Sequence, residues 1–367
     1  MMDLNPWLSQ HPYSLNSKDK SALLLTALQS LTAQHFEKCL PYRNILNGMG
    51  FNPSQAKEIH EIPFLPVRLF KELELSSVSS DEVTKTMTSS GTTGQQVSKI
   101  YLDRATSLNQ TRVLVKIVND FIGSQRLPMI VIDNPMVVKD PKMFSARGAG
   151  ILGFSMFSRE RIFALNEQME IDFNLLKEFI EQHAGETILM FGFTFMVWKH
   201  FLKELESAES KLNLSNAVLI HGGGWKKLQN EAVSKESFRE GFKDVLQISR
   251  VHDYYGMVEQ TGSIFMECEQ GYLHASIFSE ILIRRIEDFT IADAGEAGII
   301  QVLSILPESY PGHSLLTEDE GMIIGEDDCI CGRLGKYFIV TGRMKSAELR
   351  GCSDTFSTEN AVIGGSS

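Results

Sequence analysis

From about residue 80 onward, short β-rich runs alternate with stretches of helical periodicity, and this alternation constrains the fold more than any other feature. Strands are expected at Met129–Asp133, Thr187–Phe191, Ala217–His221, Arg250–Tyr254, Glu280–Arg284 and Ile299–Ile305. Helices are expected at Ser107–Ile122, Phe173–His183, Met196–Ser207 and Gln229–Val245. Strands joined through helices return in the same direction, so the pattern predicts an α/β fold with a helix-covered, parallel or mixed sheet. The first part of the chain lacks the alternation. Apolar residues at three- and four-residue spacing in Ser21–Leu31 and Phe36–Leu46 predict helices there, interrupted later by Pro63 and Pro66. Three regions follow: a helical segment over 1–75 packed on the main domain, an α/β domain over 76–340, and a short hinge and tail over 341–367.

Charge narrows the function. With 46 acidic and 35 basic residues the formal net charge is −11, which disfavours a nucleic-acid partner while leaving room for a local nucleotide pocket. No apolar run approaches the ~20 residues of a membrane span. Met1–Ser17 has neither the basic nor the apolar stretch of a secretory signal. The five cysteines, Cys39, Cys268, Cys329, Cys331 and Cys352, are odd in number and read as thiols or metal ligands. A cytoplasmic location is expected.

Three clusters can carry chemistry. Thr88-Ser89-Ser90-Gly91-Thr92-Thr93-Gly94 combines turn-forming glycines with hydroxyl and amide donors, as a phosphate cradle requires. Its spacing is not that of the P-loop, and the alternative is a plain surface loop. Gly222-Gly223-Gly224 follows the strand-like Ala217–His221, where missing side chains would let a flat ligand approach the backbone, or simply allow a tight turn before Trp225. Tyr255-Gly256 and Glu259 lie at the end of the next strand and offer an aromatic face and a carboxylate for Mg²⁺.

In order and separation the clusters resemble those of the adenylate-forming superfamily of acyl- and aryl-CoA ligases, luciferases and peptide-synthetase adenylation domains. The resemblance implies the fold of that superfamily's N-terminal domain, with a truncated C-terminal domain, and the use of ATP and Mg²⁺. Thr88–Gly94 would grip the phosphates, Gly222–Gly224 would lie against adenine, and Tyr255 and Glu259 would supply the aromatic and the metal ligand. Asp319, in Leu316-Thr317-Glu318-Asp319, would bind the ribose hydroxyls, and Arg343, after Gly342, would contact the nucleotide. A narrower likeness rests on Phe64-Leu65-Pro66-Val67-Arg68-Leu69-Phe70-Lys71, the hydroxyl-rich loop, His221-Gly222-Gly223-Gly224-Trp225-Lys226-Lys227 and Glu348–Asp354. These are similar to the acyl-protein synthetases that activate fatty acids in the fatty-acid reductase complex of bacterial luminescence. That likeness implies a ligase that forms acyl-AMP, passes the acyl group to a cysteine near the C-terminus, best matched by Cys352, and supplies an acyl reductase partner.

Two departures stand out. Gln95-Gln96-Val97 occupies the place of the common Pro-Lys-Gly, and the chain ends before the domain that usually supplies a catalytic lysine. Arg343, Lys345 and Lys99 are the candidate replacements. An acid–CoA ligase of the phenylacetate–CoA ligase type and a non-catalytic nucleotide-binding subunit remain the alternatives. Separately, Cys268, His274, Cys329 and Cys331 form a donor set suited to structural zinc, against the alternative of inert thiols. Phe191, Phe193, Phe195 and Trp198 are read as core rather than as an acyl tunnel.

Overall fold

A computed structural model describes residues 3–53, 55–89, 97–139, 146–209, 212–225 and 232–344. In chain order the strands are β1 Leu65–Pro66, β2 Lys85–Thr88, β3 Lys99–Leu102, β4 Leu127–Ile132, β5 Ser158–Phe163, β6 Ile188–Phe193 and β7 Ala217–Gly222. There follow β8 Arg250–Tyr255, β9 Phe265–Glu267, β10 Leu273–His274, β11 Ser279–Arg284, β12 Gly298–Ser304, β13 Ser314–Glu326 and β14 Lys336–Arg343. β2 and β3 form their own hairpin; the others join one sheet in the order β11-β12-β13-β14-β10-β9-β8-β7-β6-β4-β5, with β1 alongside β13.

The sheet has two halves. From β5 to β8 all neighbours are parallel. These strands return through helices, and β4, β6 and β7 are buried at every position, as strands covered on both faces should be. From β9 onward the ladder is antiparallel, because β9–β10 and β13–β14 are joined by short turns rather than helical crossovers. The expected strands and helices are all present, with shifted ends. β9, three residues long, carries no readable alternation in the sequence.

Capping sets where the covering helices begin. Asp103, Asp172 and Ser234 each accept a hydrogen bond from the amide three residues on, starting the helices Arg104–Ile122, Phe173–Gln182 and Lys235–Leu246. The stretch Thr194–Ser207 is helical throughout but widens to a π turn at Val197–Leu202. Near the N-terminus, Asn16 caps the helix Ser17–Lys38, and extended Cys39 separates it from Leu40–Gly48, which carries Pro41 in its first turn. The next segment returns to the sheet: Leu65 and Pro66 pair with Leu315 and Leu316, and the Val67 amide donates to the Leu316 carbonyl at 2.9 Å.

The aromatic stripe splits between the two faces of the sheet. Phe191 and Phe193 pack with Phe154 on one face, and Trp198 packs with Phe238 and Trp225 on the other. Asp133, at the end of β4, is buried in an ion pair with Arg147 at 3.0 Å. The expected boundary near residue 340 falls inside β14, which stays paired with β13 through Arg343.

Candidate active site and cysteine–histidine centre

The parallel strands β7 and β8 deliver the second and third clusters side by side, with Gly222 in register with Tyr254. A side chain at Gly222 would lie 2.6 Å from the Tyr254 ring, so the glycine makes room for that aromatic. Gly223 and Gly224 turn with φ of +82° and +62°, a region that favours glycine. Alternation along β8 sends Tyr255 to the opposite face from Tyr254. There its ring packs on Phe265 and Phe338, and its hydroxyl donates to Asp319 Oδ2 at 2.7 Å. Burial raises the Asp319 carboxyl, while Tyr255 and Arg343 hold it down.

Glu259 follows Gly256 in a short 3₁₀ turn and is 6% exposed. Its backbone is fixed: the Tyr310 hydroxyl donates to the Glu259 carbonyl at 2.9 Å, and Gln110 Nε2 donates to that hydroxyl at 3.3 Å. The neighbouring Gln260 Nε2 donates to the carbonyls of Val302 and Gly312. Burial pushes the Glu259 carboxyl up, opposed by Ser98 and, more weakly, by Lys71. A buried carboxylate with a raised pKa suits a bound divalent cation, which would favour its charged form.

The hydroxyl-rich loop is the tip of the β2–β3 hairpin. Thr88 pairs with Lys99. Beyond that pair, Ser89 donates its amide to the Ser98 carbonyl at 3.2 Å and accepts the Ser98 amide on its hydroxyl at 2.9 Å. Thr261 Oγ1 lies 3.8 Å from the Met87 sulfur, so the base of the hairpin packs beside the Glu259 turn. Ser90, Gly91, Thr92, Thr93 and Gly94 lie outside the described residues, as do Lys345 and Cys352.

β13 and β14 bring Arg343 opposite Asp319. The Arg343 guanidinium donates to Glu318 at 2.7 Å. Tyr255, Asp319, Glu259, Arg343 and the hairpin base are thus gathered from four stretches of chain. Of the candidate cations, Lys99 lies on the exposed side of β3, alternate to buried Ser98. Lys71 acts on Glu259 from the turn after β1 and was missed as a charge, although its motif was singled out. Ser98 and Tyr310 sit in no recognisable motif and only packing reveals them.

The cysteine–histidine set is drawn from the same stretch of chain, with Cys268 nine residues after Glu259 and Cys331 twelve before Arg343. One ligand atom each from Cys268, His274, Cys329 and Cys331 lies within 4.8 Å of the others, and these cysteines are free thiols. Cys268 and Cys329 sulfurs are 4.0 Å apart, and Cys331 sulfur is 3.4 Å from His274 Nε2. Tetrahedral zinc with ordinary bond lengths implies edges of about 3.8 Å between sulfurs and about 3.6 Å between sulfur and nitrogen. The donor set therefore fits zinc. Burial lowers the His274 imidazole to about 4, leaving it neutral as a ligand must be.

Among the described residues no helix is long and apolar enough to cross a membrane. The long-chain-fatty-acid–luciferin-component ligase of Vibrio harveyi is similar, with 21% identity over 365 residues covering 95% of this chain and 92% of the relative. The ligase of the same name from Aliivibrio fischeri is 23% identical over 305 residues, 79% of this chain and 76% of the relative. Among solved structures, 2-hydroxyisobutyryl-CoA ligase in complex with 2-HIB-AMP and CoA has a TM-score of 0.71 at 16% identity, over 92% of this chain and 70% of that one. The fold is accordingly that of an adenylate-forming acyl-CoA ligase. Residues 3–361 match the family described as "Acyl-protein synthetase, LuxE", and the chain belongs to that family.

Proposed function

We propose that this protein activates a long-chain fatty acid with Mg-ATP as acyl-AMP and transfers the acyl group to Cys352 for an acyl reductase partner. The observation that carries the reading is the convergence of buried Glu259, the Tyr255–Asp319 pair and the base of the hydroxyl-rich hairpin beside the ends of β7 and β8. In the first step a carboxylate oxygen of the acid bonds to the α-phosphorus and the bond to pyrophosphate breaks. Asp319 would accept the ribose hydroxyls, and the Thr88–Gly94 loop would donate to phosphate oxygens. Glu259 would hold Mg²⁺, which when bound supplies positive charge to the phosphates. Lys71, whose charge opposes the rise at Glu259, and Arg343, whose charge does so at Asp319, would add positive charge as pyrophosphate separates. In the second step the thiolate sulfur of Cys352 attacks the acyl carbon, AMP departs with the bonding pair, and the thiol proton passes to solvent.

Cys268, His274, Cys329 and Cys331 would hold a zinc ion that ties β10 to the turn between β13 and β14 and takes no part in the chemistry.

The test is incubation with ATP, Mg²⁺ and radiolabelled fatty acids, read on a denaturing gel and by pyrophosphate release. A protein label removed by hydroxylamine and absent from Cys352→Ser is expected. Pyrophosphate release without protein label would move the acceptor to coenzyme A. Binding of nucleotide without release of pyrophosphate would make the chain a non-catalytic subunit. Glu259→Gln should lower the Mg-dependent rate at least a hundredfold, and an unchanged rate would refute the metal assignment.

A further inference from the structure

Residues before Ser17 are fastened to the segments that carry the cysteine–histidine donors. The Ile277 amide, just after the strand bearing His274, donates to the Pro12 carbonyl at 2.8 Å. The Leu334 amide, just after Cys331-Gly332-Arg333, donates to the Tyr13 carbonyl at 3.1 Å. Asp327, at the start of the same turn, accepts from the amides of Ser17 at 3.0 Å and Gly335 at 2.7 Å. The arm thus bridges both halves of the donor set.

Tyr13 sits at the bridge. Its ring meets His274 edge-on at 6.1 Å and Phe121 at 6.2 Å, and the Arg333 guanidinium lies 5.6 Å from it. The residue is 2% exposed, and its hydroxyl is buried with no hydrogen-bond partner. The donor set lies on both sides of the residue: its carbonyl holds the Leu334 amide, three positions after Cys331, and its ring faces His274. A buried hydroxyl without an acceptor is costly, so the fold has a reason to provide one.

Metal loading would supply it. Three thiolates and a neutral imidazole around a zinc dication leave one net negative charge spread over sulfur. A phenol donor and a nearby guanidinium match that charge, whereas neutral thiols are weak acceptors. We propose that Tyr13 donates its hydroxyl hydrogen to a thiolate of the loaded centre, so that zinc binding latches the N-terminal arm His11–Ser17 onto the body of the protein. The latch deepens the zinc reading and rests on it.

The experiment uses the full chain, loaded with zinc or stripped by a chelator, and compares it with Tyr13→Phe, which keeps the ring. Zinc content, zinc affinity by chelator competition, and hydrogen exchange at the Ile277 and Leu334 amides are measured. The wild type should hold one zinc per chain. Tyr13→Phe should still fill at saturating zinc, with affinity about 10- to 100-fold weaker. In the loaded variant the Ile277 amide should exchange about tenfold faster, while β13–β14 amides are unchanged. An affinity within twofold of wild type, or Ile277 protection equal in both proteins, overturns the latch. A wild-type chain that takes up no zinc overturns the centre and the latch together. Pyrophosphate release, assayed separately, reports on adenylation whatever the zinc result.

Discussion

Replacing Tyr255 by Phe removes one hydroxyl and keeps the ring packed on Phe265 and Phe338. The lost contact is the 2.7 Å bond to Asp319, short as expected for a hydroxyl donating to a carboxylate. Hydrogen bonds to charged groups contribute about 1.5–3 kcal/mol, which corresponds to roughly a tenfold to a hundredfold change in binding if the contact positions Asp319 for the ribose. The pH dependence has a definite sign. Burial raises the Asp319 carboxyl above its ordinary value, and the Tyr255 hydroxyl opposes the rise by stabilising the ionised form. The ionised form is the one that accepts from ribose. ATP affinity should therefore fall as pH drops through the folded value, and in Tyr255→Phe that fall should begin at higher pH. Stability moves the other way, because a carboxyl raised by folding favours the folded state at low pH and withdraws that contribution as pH rises. Unfolding through this group cannot imitate the loss of affinity. The assay is acid-dependent ATP–pyrophosphate exchange, with KM for ATP measured from pH 6 to 9. A tenfold or larger rise in KM at neutral pH is expected. A KM within twofold of wild type, with superimposed pH profiles, would refute the coupling of Tyr255 to Asp319.

Lys71→Ala should lower kcat for pyrophosphate exchange about tenfold or more with little change in KM for the acid; an unchanged kcat would remove Lys71 from the charge balance. Gly223→Ala should destabilise the fold by about 1–3 kcal/mol, because φ is +82° and the new methyl would lie 2.7 Å from the Phe193 ring. A thermal melt identical to wild type would contradict that backbone.

Much of the architecture was legible because local patterns coincide with the buried faces. β4, β6, β7 and β12 read as apolar runs since both faces of each are covered. The antiparallel half was less legible. β10 is two residues long, and its place beside β14 depends on partners more than 60 positions away in sequence. Within the candidate site, composition left Gly222–Gly224, Tyr255 and Glu259 open to plain structural readings and the family resemblance singled them out, whereas Lys71 and Ser98 gained meaning only from where the chain folds them.

The sequence alone determined the alternation of strand and helix, the glycine-bearing strand ends, and the donor chemistry of Cys268, His274, Cys329 and Cys331. Each of these rests on residue type and short spacing. Tertiary structure decided that the Tyr255 hydroxyl faces Asp319, that β1, just before Lys71, pairs with β13, and that the Tyr13 ring meets His274 edge-on. Those contacts join residues between about 60 and 260 positions apart. No local pattern encodes such distances, because they are fixed by sheet register and by which faces the core requires to be buried.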